Sequence, residues 1–165
     1  MVHVRIASLA LDPQSSQPVI VLKPLVETAG HERLLPIWIG HPEATAILLA
    51  LEGVELPRPL THDLMKSILD TLEAHVERIE ITRVEDGTFF ATIVVLAGEK
   101  TLSIDARPSD SIALAIRMAA PIFVAEAVLD AAAVPDEQGS TVDEEAEVEA
   151  FRDFLNQVDP EDFQS

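Results

Sequence analysis

The hydrophobic residues change their period several times along the chain, and this alternation most restricts the possible folds. A two-residue period, as in Val2, Val4 and Ile6, predicts strands, whereas apolar residues three or four positions apart predict helices. The predicted strands run from Val2 to the turn at Asp12 and over Val19–Leu22, Leu34–Gly40, Val76–Val84, Phe89–Leu96, Thr101–Ile104 and Ile122–Val124. The predicted helices are Glu43–Leu51, Thr61–Ala74 and Ser109–Met118. The order β-β-β-α-α-β-β-β-α-β predicts an α+β domain with a mostly antiparallel sheet and helices packed on one face.

The charge of the chain is concentrated at its C-terminal end. The 165 residues include 29 acidic and 11 basic side chains, for a net charge of -18. Residues 136–165 hold 11 of the acidic side chains and one basic one, so residues 1–135 carry a net charge of only -8. Pro135 and the turn-rich residues 136–141 predict a boundary between a domain at 1–134 and a linker with an acidic tail at 135–165.

Apolar residues in this acidic tail approximate helical spacing, and they are Val148, Phe151, Phe154, Leu155 and Val158. This spacing predicts an acidic C-terminal helical extension with one apolar face. The alternative is a solvated acidic extension, since so many like charges repel one another.

Composition excludes several classes of protein. The absence of Cys excludes disulfide frameworks, thiolate metal sites and cysteine nucleophiles, and it fits a cytoplasmic location. No apolar stretch reaches the roughly 18 residues of a membrane span, so we expect no membrane association. A sequence pI near 4.4 argues against a classical nucleic-acid-binding protein, because such proteins present a basic surface to the phosphates.

Two segments place an Arg-Pro pair directly before a predicted helix that opens with a hydroxyl and an acid. They are Arg58-Pro59-Leu60-Thr61-His62-Asp63 and Arg107-Pro108-Ser109-Asp110. In structural terms, Thr61 and Ser109 are N-cap candidates, and each acid lies where the helix dipole favours negative charge. An arginine beside a helix N-terminus also forms a binding site for phosphate or carboxylate. The competing explanation for Arg107 is an internal Arg–Asp pair that ties the strand end to the helix start.

These segments, together with three other blocks, resemble the bifunctional nuclease domain family. The blocks are Leu35-Pro36-Ile37-Trp38-Ile39-Gly40 with Glu43-Ala44, Arg58-Pro59-Leu60-Thr61-His62-Asp63, Asp105-Ala106-Arg107-Pro108-Ser109-Asp110, Ile112-Ala113-Leu114-Ala115 and Pro121-Ile122-Phe123-Val124. The resemblance covers roughly residues 1–132. It implies a compact α+β domain, a homo-oligomer with a dimer favoured, and a nuclease that cleaves both RNA and DNA.

The chemistry of phosphodiester cleavage then selects candidate residues. Carboxylates often hold the divalent metal that activates water and stabilises charge, so Glu43, Asp63, Asp105 and Asp110 are candidate ligands for Mg²⁺ or Mn²⁺. His62 is a candidate general base or metal ligand, beside the candidate catalytic carboxylates Asp63, Asp105 and Asp110. Arg58 and Arg107 are candidates for holding the phosphate.

A second hypothesis assigns the chain no catalysis. In this alternative it is an oligomeric module that binds an anionic small molecule or a protein partner at the same helix starts. The net charge favours this alternative, because a negatively charged protein repels a polyanion. The family resemblance favours the nuclease.

Overall fold

Extended and helical segments follow one another in the predicted order, with two further elements near the end. The computed structural model describes residues 1–26 and 33–136. The strands in these ranges are β1 (Val2–Leu11), β2 (Pro18–Pro24), β3 (Arg33–Trp38), β4 (Ala74–Glu85), β5 (Thr88–Ala97), β6 (Lys100–Ala106), β7 (Ile122–Val124) and β8 (Val134–Pro135). The helices are α1 (His41–Leu51), α2 (Thr61–Thr71), α3 (Pro108–Met118) and α4 (Glu126–Ala132). The α+β class is confirmed, while α4 and β8 were not predicted.

The strands form one sheet of eight in the order β6-β5-β4-β7-β1-β2-β3-β8. β1, β2 and β3 form one antiparallel meander, and β4, β5 and β6 form another. β7 joins the two meanders, because it lies antiparallel to β1 and parallel to β4. All other strand pairings within the described residues are antiparallel, which confirms the prediction of a mostly antiparallel sheet.

The core forms on one side of this sheet, which we call the inner face. Side chains alternate along β2 and β4, so that Ile20, Leu22, Ile79 and Ile81 are fully buried on it. Helix α3 contacts β4 and β5, and α1 contacts both α3 and β2. The buried apolar side chains of these helices and of the inner face belong to a single cluster.

The helix starts differ from their prediction in one respect. Thr61 and Ser109 were expected to be N-caps, but α2 begins at Thr61 after an N-cap at Leu60, and α3 begins at Pro108 after an N-cap at Arg107. Neither N-cap residue caps its helix with its own side chain, but in α2 the backbone N–H of Leu60 donates to the Asp63 side chain. The expectation was wrong because the helices begin at or before these hydroxyl residues, which leaves each hydroxyl inside the first turn.

The end of α2 also differs. The helix was predicted to reach Ala74, but it ends at Thr71, and Ala74 is already the first residue of β4. Glu73 adopts the left-handed conformation, with φ of 54°, and reverses the chain there.

Two sequence-based predictions fall on the edge of the described chain or beyond it. The acidic helical extension lies outside the described residues, and the domain boundary near residue 134 stays a prediction. No helix in the described ranges is long and apolar enough to cross a membrane.

Candidate functional site at three helix starts

The N-terminal ends of α1, α2 and α3 converge and bring together four polar side chains. Glu43 lies in the first turn of α1, His62 in that of α2 and Asp110 in that of α3, while Arg107 is the N-cap residue of α3. We call Glu43, His62, Arg107 and Asp110 the helix-start cluster. Proline favours the start of two of these helices, α1 and α3, since Pro42 and Pro108 occupy first-turn positions where their missing N–H groups are not needed.

Arg107 joins two carboxylates that are far apart in sequence. Its Nη2 donates to Glu43 Oε1 at 2.8 Å and to Asp110 Oδ1 at 3.2 Å, and its Nε donates to Asp110 Oδ2 at 2.8 Å. The hydrogen bond with Asp110, followed by the one with Glu43, raises the pKa of Arg107 above its usual range. Arg107 therefore forms an internal Arg–Asp pair of the kind that the competing explanation describes, with Asp110 as its partner. The Arg107 side chain is still 65% exposed.

Glu43 reaches Arg107 by folding back over the start of its own helix. A Cβ atom built on Gly40 would collide with Glu43 Oε2. The absence of a side chain at Gly40, the N-cap residue of α1, is therefore what allows this close approach.

His62 and Asp110 form a partly buried hydrogen bond within the cluster. The distance from His62 Nε2 to Asp110 Oδ1 is 3.1 Å, and the histidine side chain is only 8% exposed. Partial burial raises the pKa of Asp110, but the hydrogen bonds from Arg107 and His62 outweigh this effect and hold it below its ordinary value. Because an ionised carboxylate only accepts hydrogen bonds, His62 Nε2 carries the hydrogen. In the neutral ring, Nδ1 then keeps its lone pair and can accept a proton.

Asp63 belongs to a second ion pair behind the cluster. Its Oδ1 accepts a hydrogen bond from Arg117 Nε at 2.6 Å, and its Oδ2 accepts one from the backbone N–H of Leu60 at 2.9 Å. Burial raises the pKa of Asp63, but the hydrogen bonds from Arg117 and Leu60, with the attraction of Arg117, lower it more. The sequence placed Asp63 in the site, whereas the structure assigns it to this neighbouring pair.

Arg117 is the residue that sequence reasoning missed. Its side chain is only 8% exposed and lies in the last turn of α3. Besides Asp63 it contacts α1 and its own helix, since Nη1 donates to the carbonyl oxygens of Ala46 at 3.0 Å and Ala113 at 2.9 Å. The signal in the sequence was a single basic residue among the apolar residues of α3, which indicates a buried charge with a partner. The partner, Asp63, could not be identified because it lies 54 positions away.

The remaining predicted site residues lie apart from the cluster. Asp105 pairs with Thr92 across the β5–β6 ladder, whereas its neighbour Ile104 pairs with the core residue Ile93. Asp105 is therefore exposed on the outer face of the sheet, opposite the helices. Arg58 is exposed in the loop before α2, and no hydrogen bond or ion pair joins it to a described residue.

The carboxylates do not form a ready metal site in this arrangement. Among the residues that the structure describes, no group of three or more His, Asp or Glu side chains is close enough together to hold a metal ion. Glu43 and Asp110 form ion pairs with Arg107, and Asp63 forms one with Arg117. The predicted Mg²⁺ or Mn²⁺ ion stays a prediction that an assay must test.

The fold and the cluster together define an α+β domain with an Arg–carboxylate–His arrangement at one end of its helices. The family model for the bifunctional nuclease domain matches residues 22–137. The chain therefore belongs to the bifunctional nuclease domain family, as its sequence blocks predicted.

Proteins similar to this chain include one from a bacterium and several from plants. An uncharacterized protein of Mycobacterium tuberculosis is 40% identical over 170 residues, covering 100% of this chain and 99% of that protein. Bifunctional nuclease 2 of Oryza sativa subsp. japonica is 33% identical over 116 residues, and Bifunctional nuclease 1 of Arabidopsis thaliana is 28% identical over 117 residues. The matches cover 68% and 69% of this chain, but only 35% of each plant protein.

Proposed function

We propose that this protein is a nuclease that hydrolyses phosphodiester bonds in RNA and DNA at the helix-start cluster. The observation that carries the proposal is the partly buried hydrogen bond between His62 and Asp110 beside the exposed guanidinium of Arg107. A proton acceptor and an anion-binding group are the two functions that phosphodiester hydrolysis needs first. Membership of the family and the names of the plant relatives support the same activity.

Arg107 is suited to hold the scissile phosphate. Its hydrogen bonds to Glu43 and Asp110 use Nε and Nη2, and Nη1 makes none to a described residue. The N–H groups of Nη1 can donate to a phosphate oxygen while the two carboxylates keep the guanidinium in place. The N-terminus of α3 adds a positive dipole end at the same point.

His62 is suited to activate water. With Nε2 held by Asp110, its Nδ1 can take a proton from a water molecule that attacks the phosphorus. Asp110 orients the imidazole and stabilises it after protonation, whereas Glu43 acts through Arg107. Water as the nucleophile makes the reaction independent of the 2′-hydroxyl, so one site can cleave RNA and DNA.

The cluster is not positively charged, and this observation favours the alternative function. Glu43 and Asp110 contribute two negative charges and Arg107 one positive charge, so the cluster with a neutral His62 has a net charge of -1. A non-catalytic oligomeric module needs no positive net charge to bind a protein partner here, and Arg107 alone would hold a small anion. A nuclease with the same residues needs further cationic help, which is the role predicted for Mg²⁺ or Mn²⁺. Cytoplasmic location remains an expectation of both functions.

A cleavage assay distinguishes the two functions. Purified protein is incubated with fluorescent single-stranded RNA and DNA in Mg²⁺, Mn²⁺ or EDTA, and binding of each oligonucleotide is measured by anisotropy. We expect cleavage of both, with His62→Gln and Asp110→Asn slowing it at least about 100-fold while oligonucleotide binding persists. Arg107→Met should weaken binding. Absence of cleavage by the unmodified protein under all three conditions would refute the nuclease and leave the non-catalytic alternative.

Matched variants control for contaminating nucleases and for general effects of mutation. His75→Gln changes an exposed histidine of β4, and Asp130→Asn changes a carboxylate of α4 that is 66% exposed. Both should keep full activity. Asp105→Asn distinguishes the site predicted from the sequence from the helix-start cluster. The sequence predicts that Asp105 is a catalytic carboxylate, whereas its side chain lies on the outer face of the sheet, apart from the cluster. Full activity in His62→Gln would refute the assigned site.

A further inference from the structure

Trp38 is an exposed aromatic residue to which the proposed reaction gives no role. It is the only tryptophan of the chain and the last residue of β3, where it pairs with Val19 of β2. Its neighbours Ile37 and Ile39 are buried in the core, whereas Trp38 lies on the outer face of the sheet and is 48% exposed. Packing in the core therefore does not account for a tryptophan at this position.

Asp12 fixes the orientation of the indole ring. Its Oδ2 accepts a hydrogen bond from Trp38 Nε1 at 3.0 Å, while its Oδ1 accepts the backbone N–H groups of Gln14 and Ser15 at 2.8 and 3.0 Å. The turn after β1 thus holds the carboxylate, and the carboxylate holds the ring. Because the indole N–H is the only polar group of the side chain and already has an acceptor, the exposed ring offers a surface for stacking.

Two of the other aromatic rings already have a partner on their face. Arg83 lies over the ring of Phe90, 3.8 Å from its centroid, and His3 stacks on Phe123 with the ring centroids 4.8 Å apart. Among the described residues, no ring or cation stacks on Trp38 in this way. The exposed face of Trp38 is therefore open to a planar ligand.

Trp38 lies within reach of a strand that is bound at the helix-start cluster. It is two positions before Gly40, whose missing side chain leaves room for Glu43, and Glu43 Oε1 accepts a hydrogen bond from Arg107 Nη2 at 2.8 Å. These links set an upper limit of about 16 Å on the distance between Trp38 Cα and Arg107 Nη2. At a stacked spacing of about 3.4 Å per nucleotide, a strand with one phosphate on Arg107 reaches Trp38 within about five nucleotides.

We propose that Trp38 is a base-stacking subsite, on which one unpaired nucleobase of a single strand stacks while a phosphate of the same strand lies at Arg107. The inference rests on the proposed function, since the helix-start cluster must bind nucleic acid. Every base has a π face, so the subsite accepts RNA and DNA alike and tolerates any sequence. Within a duplex the neighbouring bases cover these faces, so the subsite selects single strands.

Stacking provides affinity that does not depend on positive charge. The helix-start cluster has a net charge of -1 and the whole chain one of -18, so phosphate contacts alone hold a polyanion weakly. One base stacked on an aromatic side chain strengthens binding by at least about fivefold. The subsite therefore supplies part of the affinity that the acidic surface lacks.

The fluorescence of the single tryptophan reports stacking directly. The full-length protein is titrated in EDTA with an oligothymidylate of about ten nucleotides, and with an abasic strand that has the same phosphates but no bases. Binding of each strand is measured in parallel by anisotropy. We expect saturable quenching by the oligothymidylate alone, and binding of the abasic strand at least about fivefold weaker. A blunt duplex of the same length should quench no more than the abasic strand.

Substitutions separate the contribution of the ring from general effects of mutation. Trp38→Leu should abolish the preference for oligothymidylate over the abasic strand and leave binding of the abasic strand unchanged. Trp38→Phe keeps a smaller ring and should keep part of the preference. The matched control Leu25→Ala changes a side chain that is also 48% exposed and should keep all of it. Circular dichroism establishes that each variant is folded, and if Trp38→Leu is not, quenching in the unmodified protein decides.

The results that overturn this inference differ from those that overturn the proposed function. Equal affinity for the two strands without quenching overturns the stacking subsite and leaves the nuclease intact. A preference for oligothymidylate that survives in folded Trp38→Leu places the base elsewhere and also overturns the subsite. Equal quenching by the duplex overturns the selection of single strands. Failure of the unmodified protein to bind either strand overturns the proposed function together with this inference.

Discussion

Replacing Arg117 with Met tests whether this buried arginine holds the three helices of the site together. Met keeps most of the apolar stem and has a helix propensity close to that of Arg, so the variant removes chiefly the guanidinium. The change deprives Asp63 of its charged partner at 2.6 Å and deprives the carbonyl oxygens of Ala46 and Ala113 of a donor.

The structure sets the expected loss of stability. Removing one partner of a buried ion pair costs about 3–5 kcal/mol, because the remaining charge is left uncompensated. The Asp63 side chain is 36% exposed and keeps the N–H of Leu60, so water can compensate part of this cost. The two carbonyl contacts add on the order of 0.5 kcal/mol each. We therefore expect Arg117→Met to lower the free energy of unfolding by about 2–3 kcal/mol.

Urea unfolding followed by circular dichroism and by the fluorescence of Trp38, the only tryptophan, measures this loss at fixed protein concentration. Lys66→Met is the matched control, because it breaks an ion pair with Asp70 that is 42% and 47% exposed. That pair should contribute no more than about 0.5 kcal/mol. A double-mutant cycle with Asp63→Asn isolates the coupling. Equal small losses for Arg117→Met and Lys66→Met would refute the assigned role of Arg117.

Three further predictions concern acid, the core and the tail. The pKa of Asp110 is lowered in the folded state, so its ionised form stabilises the fold above about pH 4, and this contribution is lost as the pH falls below that value. In Asp110→Asn, the free energy of unfolding should therefore change less with pH between about pH 5 and 2 than in the unmodified protein. Ile47→Ala, at a fully buried position, should cost about 2–5 kcal/mol in urea unfolding, whereas Leu51→Ala, at a position 47% exposed, should cost less than 1.5 kcal/mol. Deleting residues 136–165, with 11 acidic side chains and one basic one, should strengthen oligonucleotide binding at low salt. An unchanged anisotropy titration would place the tail away from the substrate path.

Local patterns made the element order predictable. The two-residue period of β4 and β5 and the turn between them can be read from adjacent residues, and Asp86 and Gly87 both adopt positive φ there, as a tight hairpin requires. The Arg107–Asp110 pair was also predictable as an alternative, because its members lie three positions apart on a helix start.

Long-range relations were not predictable from one sequence. The insertion of β7 between β1 and β4 depends on which apolar faces pack together, and a three-residue strand carries little periodicity of its own. Helix α4 has only seven residues, too few for a clear helical period. The separation of Asp105 from Asp110 depends on the strand continuing to Ala106, which sends the Asp105 side chain to the outer face.

The position of β7 between the two meanders has a consequence for the order of folding. Each meander is built from contacts between neighbouring strands and can form early, whereas β7 must bring together strands from both halves of the chain. Glu43 and His62 precede the second meander, and Arg107 and Asp110 follow it, at separations of 64 and 48 residues. The helix-start cluster therefore closes only when the two halves have docked. A growing chain that has not yet reached Ile122 lacks the strand that joins the two meanders, so we expect the cluster to close late in folding.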